Sequence, residues 1–165
     1  MTEGTEGRED KGFETEDSTE TILELARHPQ VVALKDAKND LAATSQVLAG
    51  CELAVYSGDD VLNLPLLALG GVGFVSVVSH VATPQLVELV QAYDAGDVAR
   101  ARDINLRLQP VYVGLFRTQG VILSKAALGL LGFPVGPVRM PLVDATEEQI
   151  AVLQQDLTDA GLALA

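Results

Sequence analysis

The chain has 165 residues, a formal net charge of −12 and hydrophobic side chains at 48% of its positions. This length and apolar content are enough for one domain with a buried core. The acidic balance argues against nucleic-acid binding, because phosphate contacts need clustered Lys and Arg. No apolar run reaches the roughly 18 residues of a membrane span. The single cysteine, Cys51, excludes an internal disulfide and fits a cytoplasmic location.

Residues 1–16 differ in composition from the rest of the chain. They are polar and acidic, contain glycine and are nearly free of apolar side chains. Such a segment cannot bury enough surface to offset the entropy cost of ordering its backbone. We therefore predict a disordered acidic head over residues 1–16.

Residues 17–82 alternate helical and strand-like segments. A helix capped at Ser18 or Thr19 is predicted to stop before Pro29, and "VVALK" follows as a strand. A helix ending at Gly50 leads to a second strand, "ELAVYSGDD", and a short helix with Pro65 in its first turn leads to a third, "VGFVSVVSHV". This order predicts an α/β fold whose three strands pair in parallel through right-handed crossovers.

Residues 83–165 contain helical patterns and no strand-like segment. Thr83-Pro84 and Thr146 are typical helix starts, and the stops are predicted at Gly96, Gly132 and Gly161. The architecture is therefore three parallel strands followed by a helical region. A complete (β/α)₈ barrel takes about 250 residues, so this chain is too short to close one. Either another chain completes the sheet or the polypeptide is part of a larger fold.

Lys35 directly follows the apolar residues of the first strand. The carboxyl ends of parallel strands are where ligands bind in barrels and open α/β sheets. Apolar surroundings there would favour a neutral amine, which can attack a carbonyl group. The alternative is a lysine that points to solvent and pairs with Asp36 or Asp40.

Two other segments carry polar or glycine clusters. In "YSGDD", Gly58 permits a tight turn, and Asp59 or Asp60 is expected to cap the next helix rather than bind metal, because no His or Cys cluster lies nearby. "GGVGFVSVV" places its glycines before a strand, whereas a phosphate-binding loop places them after one. We therefore reject nucleotide binding and expect these glycines to end a helix and turn the chain into the strand.

Five segments of the chain resemble one protein family, and they occur in the same order as in that family. They are "VVALKDAKNDL", "YSGDDVLNLPLLALGGVGFVSVVSHV", "GDVARARDINLRLQPVY", "GVILSKAALGLLG" and "VRMPLVDATEEQI". From about residue 18 onward they resemble the C-terminal half of the 4-hydroxy-tetrahydrodipicolinate synthase (dihydrodipicolinate synthase) family, particularly its actinobacterial members. The resemblance implies an incomplete (β/α)₈ barrel, with the last three strands in residues 17–82 and the terminal barrel helix and C-terminal helical region in residues 83–165.

The resemblance also implies a class I, Schiff-base lyase that condenses pyruvate with aspartate semialdehyde in lysine and diaminopimelate biosynthesis, with no cofactor or metal. Lys35 matches the lysine that forms the imine with pyruvate. Val75 matches a position whose backbone contacts pyruvate, and Gly58 matches a glycine that lines the same site. The expected partners are the two substrates and either further copies of this chain or a complementing N-terminal-half chain.

The chain also departs from the family pattern. The family's Gly-Thr-Thr motif, its proton-relay tyrosine and its substrate-binding arginine have no counterpart here, and Tyr56 lies on a different strand from the relay tyrosine. We therefore expect the chain to be inactive alone. Two alternatives stay open: a non-catalytic fragment or assembly subunit, and a pyruvate-dependent aldolase that acts on a sugar acid.

Overall fold

The computed structural model describes residues 18–165, so the predicted acidic head over residues 1–16 lies outside the described part of the chain. Helices and three short strands alternate up to residue 74, and helices alone follow. The elements are α1 (Thr19–Leu25), β1 (Ala33–Asp36), α2 (Leu41–Gly50), β2 (Ala54–Ser57), a 3₁₀ turn (Asp60–Leu62), α3 (Asn63–Leu69), β3 (Gly73–Phe74), α4 (Ser79–Asp94), α5 (Val98–Gly114), α6 (Gly120–Leu130) and α7 (Glu147–Asp159).

The three strands form one parallel sheet in the order β1-β2-β3, as predicted. Lys35 is in register with Tyr56, and Tyr56 with Gly73. Because residues in register on parallel strands point to the same face, the three lie in one row across the sheet. The face of the sheet away from Lys35 is covered at β2, since Val55 and Ser57 are buried there. The opposite face, which carries Lys35, is the more open one.

The predicted third strand, Val72 to Val81, is wrong beyond its third residue, Phe74. β3 ends at Phe74, and helix begins already at Ser79; α4 is two helical segments joined at the non-helical backbone of Ala82 (φ −134°, ψ 32°), and the second segment starts at the predicted Thr83-Pro84. The apolar, β-branched residues after Phe74 do have strand propensity. However, the amides of Val77 and Val78 donate to the Asp60 carboxylate instead of to a neighbouring strand.

Most helix ends follow the predicted local signals. Ser18 caps α1 by accepting from Thr21 N–H, and Thr146 forms a capping box with Gln149 at the start of α7. Gly70 adopts a left-handed conformation (φ 109°) that ends α3, as expected for a glycine stop. At the end of α2, however, Cys51 is the C-cap, and Gly50 is the last helical residue.

Buried apolar residues fall into two clusters. The larger one lies among α4, α5, α6 and α7 and includes Leu89, Ile104, Leu108 and Leu153. The smaller one consists of Ile22, Val47, Leu53, Val55 and Leu66, between the sheet and the helices α1, α2 and α3. Among residues 18–165, no helix is long and apolar enough to cross a membrane.

Candidate active site

Lys35 is the third residue of β1 and is exposed to solvent. Within residues 18–165 its ammonium group makes no hydrogen bond or ion pair. The expectation of apolar surroundings is therefore wrong for the described part of the chain. The physical reason is that a sheet of three strands does not close around Lys35, so water reaches the side chain.

The two acids considered as ion-pair partners of Lys35 are engaged elsewhere. Asp36 is buried, and its carboxylate accepts from Lys38 N–H at 3.0 Å and from the Thr44 hydroxyl. Asp40 caps α2 by accepting from Ala43 N–H at 2.9 Å. Asp36 thus fixes the loop that follows Lys35, a role that sequence reasoning missed because Thr44 lies on the next helix.

Gly58 lies against the side chain of Lys35. A methyl group at Gly58 would be 2.7 Å from Lys35 Cε and 2.9 Å from Lys35 Cγ. The Gly58 N–H donates to the Asp36 carbonyl at 2.7 Å, which continues the ladder between β1 and β2 beyond the last residue of β2. The structure therefore brings together two of the three predicted site residues.

Val75 follows β3 directly, at the carboxyl end of the third strand. Its N–H donates to the Ser57 carbonyl at 2.7 Å, one residue before Gly58. Its carbonyl accepts no hydrogen bond from the described residues. Lys35, Gly58 and Val75 are thus at the carboxyl ends of three adjacent strands, and the Val75 carbonyl is a backbone group available to a ligand.

The paired acids after Gly58 have different roles. Asp59 accepts from Val61 N–H at 3.2 Å and caps the 3₁₀ turn, as predicted. Asp60 is only 2% exposed and reaches across to the segment after β3. The two adjacent acids are visible in the sequence, but three of the four donors to Asp60 lie 16 to 18 residues further along the chain. No local pattern predicts them.

A cavity of about 400 Å³ adjoins Gly58 at this end of the sheet. Helix α5 supplies one wall of it, through Tyr112 among other residues. Burial, followed by the charge of Asp60, raises the pKa of Tyr112 above its ordinary value of 10.0. The full lining is Ala37, Gly58, Asp59, Val61, Tyr112, Val113 and Phe116.

Among residues 18–165, no group of three or more His, Cys, Asp or Glu side chains is placed to hold a metal ion. The chemistry that the described arrangement offers is that of a lysine amine beside backbone amides and carbonyls. An amine of this kind can condense with a carbonyl compound.

Comparison with known proteins identifies the family. The model of the dihydrodipicolinate synthetase family matches residues 16–160. The chain belongs to this family. 4-Hydroxy-tetrahydrodipicolinate synthase 2 of Streptomyces coelicolor is 54% identical over 147 residues, which cover 89% of this chain and 49% of the relative. The synthase of Acidothermus cellulolyticus is 56% identical over 142 residues, which cover 86% and 46%. The predicted likeness to actinobacterial members is confirmed.

Solved structures of dihydrodipicolinate synthases share the fold. The enzyme of Cyanidioschyzon merolae, solved with lysine bound, is 41% identical with a TM-score of 0.84 and matches 88% of this chain and 50% of its own. The Acinetobacter baumannii enzyme, solved in complex with pyruvate, is 30% identical with a TM-score of 0.83 and matches 88% and 51%.

The chain spans about half the length of the relatives it matches. The predicted fold class is confirmed: the described residues form part of a β/α barrel, with three parallel strands, followed by a helical region.

Proposed function

We propose that the chain supplies the lysine-bearing half of a pyruvate-condensing synthase, with Lys35 as its nucleophile. The position of Lys35 at the carboxyl end of a parallel strand, in contact with Gly58, is the observation that carries this proposal. Its support from the comparisons is the 54% identity to a named synthase across 89% of the chain.

In the proposed reaction the Lys35 amine attacks the keto carbon of pyruvate. Loss of water leaves an imine, and loss of a proton from the pyruvate methyl group gives an enamine. The enamine carbon attacks the aldehyde of aspartate semialdehyde, and the product cyclises and leaves Lys35. Gly58 makes room for the lysine side chain, and the Val75 carbonyl contacts the bound pyruvate.

The exposure of Lys35 supports low activity for the chain alone. With water free to reach the amine, and no hydrogen bond or ion pair to it within residues 18–165, the lysine lacks positioning and general acid–base catalysis. Acid–base catalysis alone contributes roughly 10²–10⁴-fold to enzyme rates. The exposure of Lys35 also favours a second candidate function, that of a subunit that acquires activity only in an assembly.

The open edges of the sheet support a complementing partner. Ala54 N–H donates to the Val32 carbonyl and Gly58 N–H to the Asp36 carbonyl, so Val32 and Asp36 face β2. In a parallel strand the alternate residues, including Lys35, present their N–H and C=O groups to the outer edge. Such groups are a template for another strand.

The other edge of the sheet, at β3, adjoins a largely apolar groove. A groove of about 400 Å³ beside Phe74 is lined by Leu86, Val87 and Val90 of α4. Val87 is 48% exposed there. We propose that both edges are covered by an N-terminal half of the barrel, which would close the sheet around Lys35. Self-association of this chain is the competing outcome.

Trapping with borohydride tests the chemistry. Incubation with pyruvate and borohydride should add the mass of pyruvate, less one water and plus two hydrogens, at Lys35. The Lys35→Ala variant should lose the adduct. Lys125→Ala is the matched control, because Lys125 lies on α6 and donates to the Pro137 carbonyl. No adduct at Lys35, even with an N-terminal half present, contradicts the proposal.

Native mass spectrometry tests the partner. The chain should form a heteromer with the segment that precedes the matched region in the Streptomyces coelicolor synthase. Synthase turnover should appear only in that complex. Measurable turnover by the purified chain alone, or a homo-oligomer that does not bind this segment, contradicts the partner assignment.

The domain limits and the location are part of the same proposal. We propose barrel strands in residues 17–82 and the terminal barrel helix and helical region in residues 83–165. Support for the limit between them comes from the non-helical backbone of Ala82, although Leu67 and Val78 also pack into the larger cluster.

A cytoplasmic location is supported by the lone, free Cys51.

A further inference from the structure

Asp60 is a buried carboxylate whose hydrogen bonds join two loops of the candidate site. It opens the 3₁₀ turn after β2 and is 2% exposed. One oxygen accepts from Asn63 Nδ2 at 2.9 Å and from the Ser76 hydroxyl. The other accepts from Val77 N–H at 3.1 Å and Val78 N–H at 3.0 Å. A buried carboxylate with this many donors is strongly held, because each charge-assisted bond also offsets its desolvation.

The segment held by Asp60 is the one that carries Val75. The Val75 N–H is tied to the Ser57 carbonyl at 2.7 Å, and the next residue, Ser76, is tied to Asp60. The Val75 carbonyl and the Ser76 nitrogen belong to one planar peptide unit. Fixing both sides of this unit therefore fixes the direction of the Val75 carbonyl.

Ser76 extends the same arrangement into α4. Its hydroxyl donates to Asp60 and accepts from Ser79 N–H at 2.9 Å, and the Ser79 hydroxyl donates to the Ser76 carbonyl at 2.7 Å. Asp60 thus links the end of β2 to the first turn of α4. Strand propensity would otherwise favour an extended chain through Val77 and Val78.

We propose that Asp60 is a positioning residue that sets the Val75 carbonyl at the pyruvate site. The proposal rests on the proposed function, since it takes the Val75 carbonyl as a contact for pyruvate. Asp60 itself touches no reacting atom. Its effect is to hold a backbone acceptor at the carboxyl end of β3, two residues beyond Gly73, which is in one row with Lys35 and Tyr56.

The test compares Asp60→Asn with Asp97→Asn. Asp97 also accepts a backbone N–H, from Arg100 at 3.0 Å, but it caps α5 and is exposed. In the assembly that gives the wild-type adduct, borohydride trapping is titrated with pyruvate. Asp60→Asn should raise the half-saturating pyruvate concentration about tenfold, as expected when buried N–H groups lose charged partners. The trapping rate at saturation should change less than twofold, and Asp97→Asn should match the wild type.

Hydrogen exchange of the free chain gives a second readout that does not depend on the reaction of Lys35 with pyruvate. The amides of Val77 and Val78 should exchange about tenfold faster in Asp60→Asn, while peptides of α7 exchange as in the wild type. If Asp60→Asn fails to fold, Ser76→Ala removes one donor and leaves both backbone bonds, and a smaller shift in the same direction is expected.

The outcomes separate the two proposals. A wild-type chain that gives no adduct, even with an N-terminal half present, overturns the proposed function, and the exchange experiment then decides whether Asp60 fixes the loop. A wild-type adduct with unchanged pyruvate dependence in Asp60→Asn overturns the positioning role alone. Equal exchange at Val77 and Val78 in the two proteins overturns it whatever the trapping result.

Discussion

The side chain of Lys35 occupies the space that a side chain at position 58 would need, so only glycine fits there beside it. A methyl group there would lie 2.7 Å from Lys35 Cε and 3.0 Å from the Ala37 side chain. The lysine therefore keeps its present conformation only while position 58 is glycine. This relationship links the turn after β2 to the conformation of Lys35 on β1.

Gly58→Ala should leave the fold intact and weaken the reaction with pyruvate. The lysine must move to a less favourable conformation, and an off-rotamer side chain costs about 0.5–1.5 kcal/mol. We expect borohydride trapping at Lys35 to slow by roughly threefold to tenfold, since 1.4 kcal/mol is tenfold. Gly129→Ala on α6 is the matched control, because a methyl group there meets no atom within 4 Å. Equal trapping in the two variants would contradict the steric argument.

Gly114→Ala should destabilise the helical region. A methyl group at Gly114 would lie 2.5 Å from Asp156 Oδ2, which is paired with Arg117. Asp156 is buried and holds both ends of the Arg117 guanidinium, with Nη2 to Oδ1 at 2.9 Å. Overpacking of this kind costs about 1–3 kcal/mol, so urea unfolding should show a lower midpoint. A midpoint equal to that of the wild type would show that Asp156 can move without loss.

Glu88→Gln should have little effect on stability, in contrast to Asp156→Asn. Glu88 pairs with Arg100 on the surface, and the hydrogen bond and charge of Glu88 raise the pKa of Arg100. Exposed ion pairs contribute little, because water and salt screen them. Thermal unfolding should show no resolvable change for Glu88→Gln and a clear decrease for Asp156→Asn. Similar decreases for both would contradict the difference in burial.

The chain should lose stability at alkaline pH through Tyr112. Burial and the Asp60 charge raise the folded-state pKa of Tyr112 above 10.0, so the folded state holds this proton more tightly than the unfolded state. Below pH 10.0 the titration of Tyr112 takes nothing from the free energy of unfolding. As the pH rises from there through the folded-state pKa, the unfolded state loses its proton first, and the free energy of unfolding falls. Urea unfolding of the wild type and of Tyr112→Phe at pH 7 and pH 11 measures this.

Tyr112→Phe should be near neutral or stabilising at pH 7, because the buried Tyr112 hydroxyl has no well-formed hydrogen bond. At pH 11 the variant should lose less stability than the wild type. The difference between the two proteins removes the contribution of other groups that titrate in this range. Parallel losses in the two proteins would show that Tyr112 does not titrate differently on unfolding.

The parts of the fold that sequence predicts well are those set by neighbouring residues. Ser18 and Thr146 begin helices because their side chains bond to amides three residues later. The extent of β3 was not predictable, because Asp60 holds Val77 and Val78 from 17 and 18 residues away. The contact of Lys35 with Gly58 also depends on strand pairing, so sequence named both residues without showing that they touch.

The separation of the buried residues into two clusters has a consequence for the order in which the molecule opens. The α4–α7 cluster is large and joins helices that follow one another in sequence, which favours early formation and late loss. Ile22, Val47, Leu53, Val55 and Leu66 give the sheet a much smaller core. The strands should therefore open while the helices persist, and limited proteolysis should leave a helical remnant without Lys35. A partner that covers the sheet would thus also act as the template on which the end of the molecule that carries Lys35 becomes ordered.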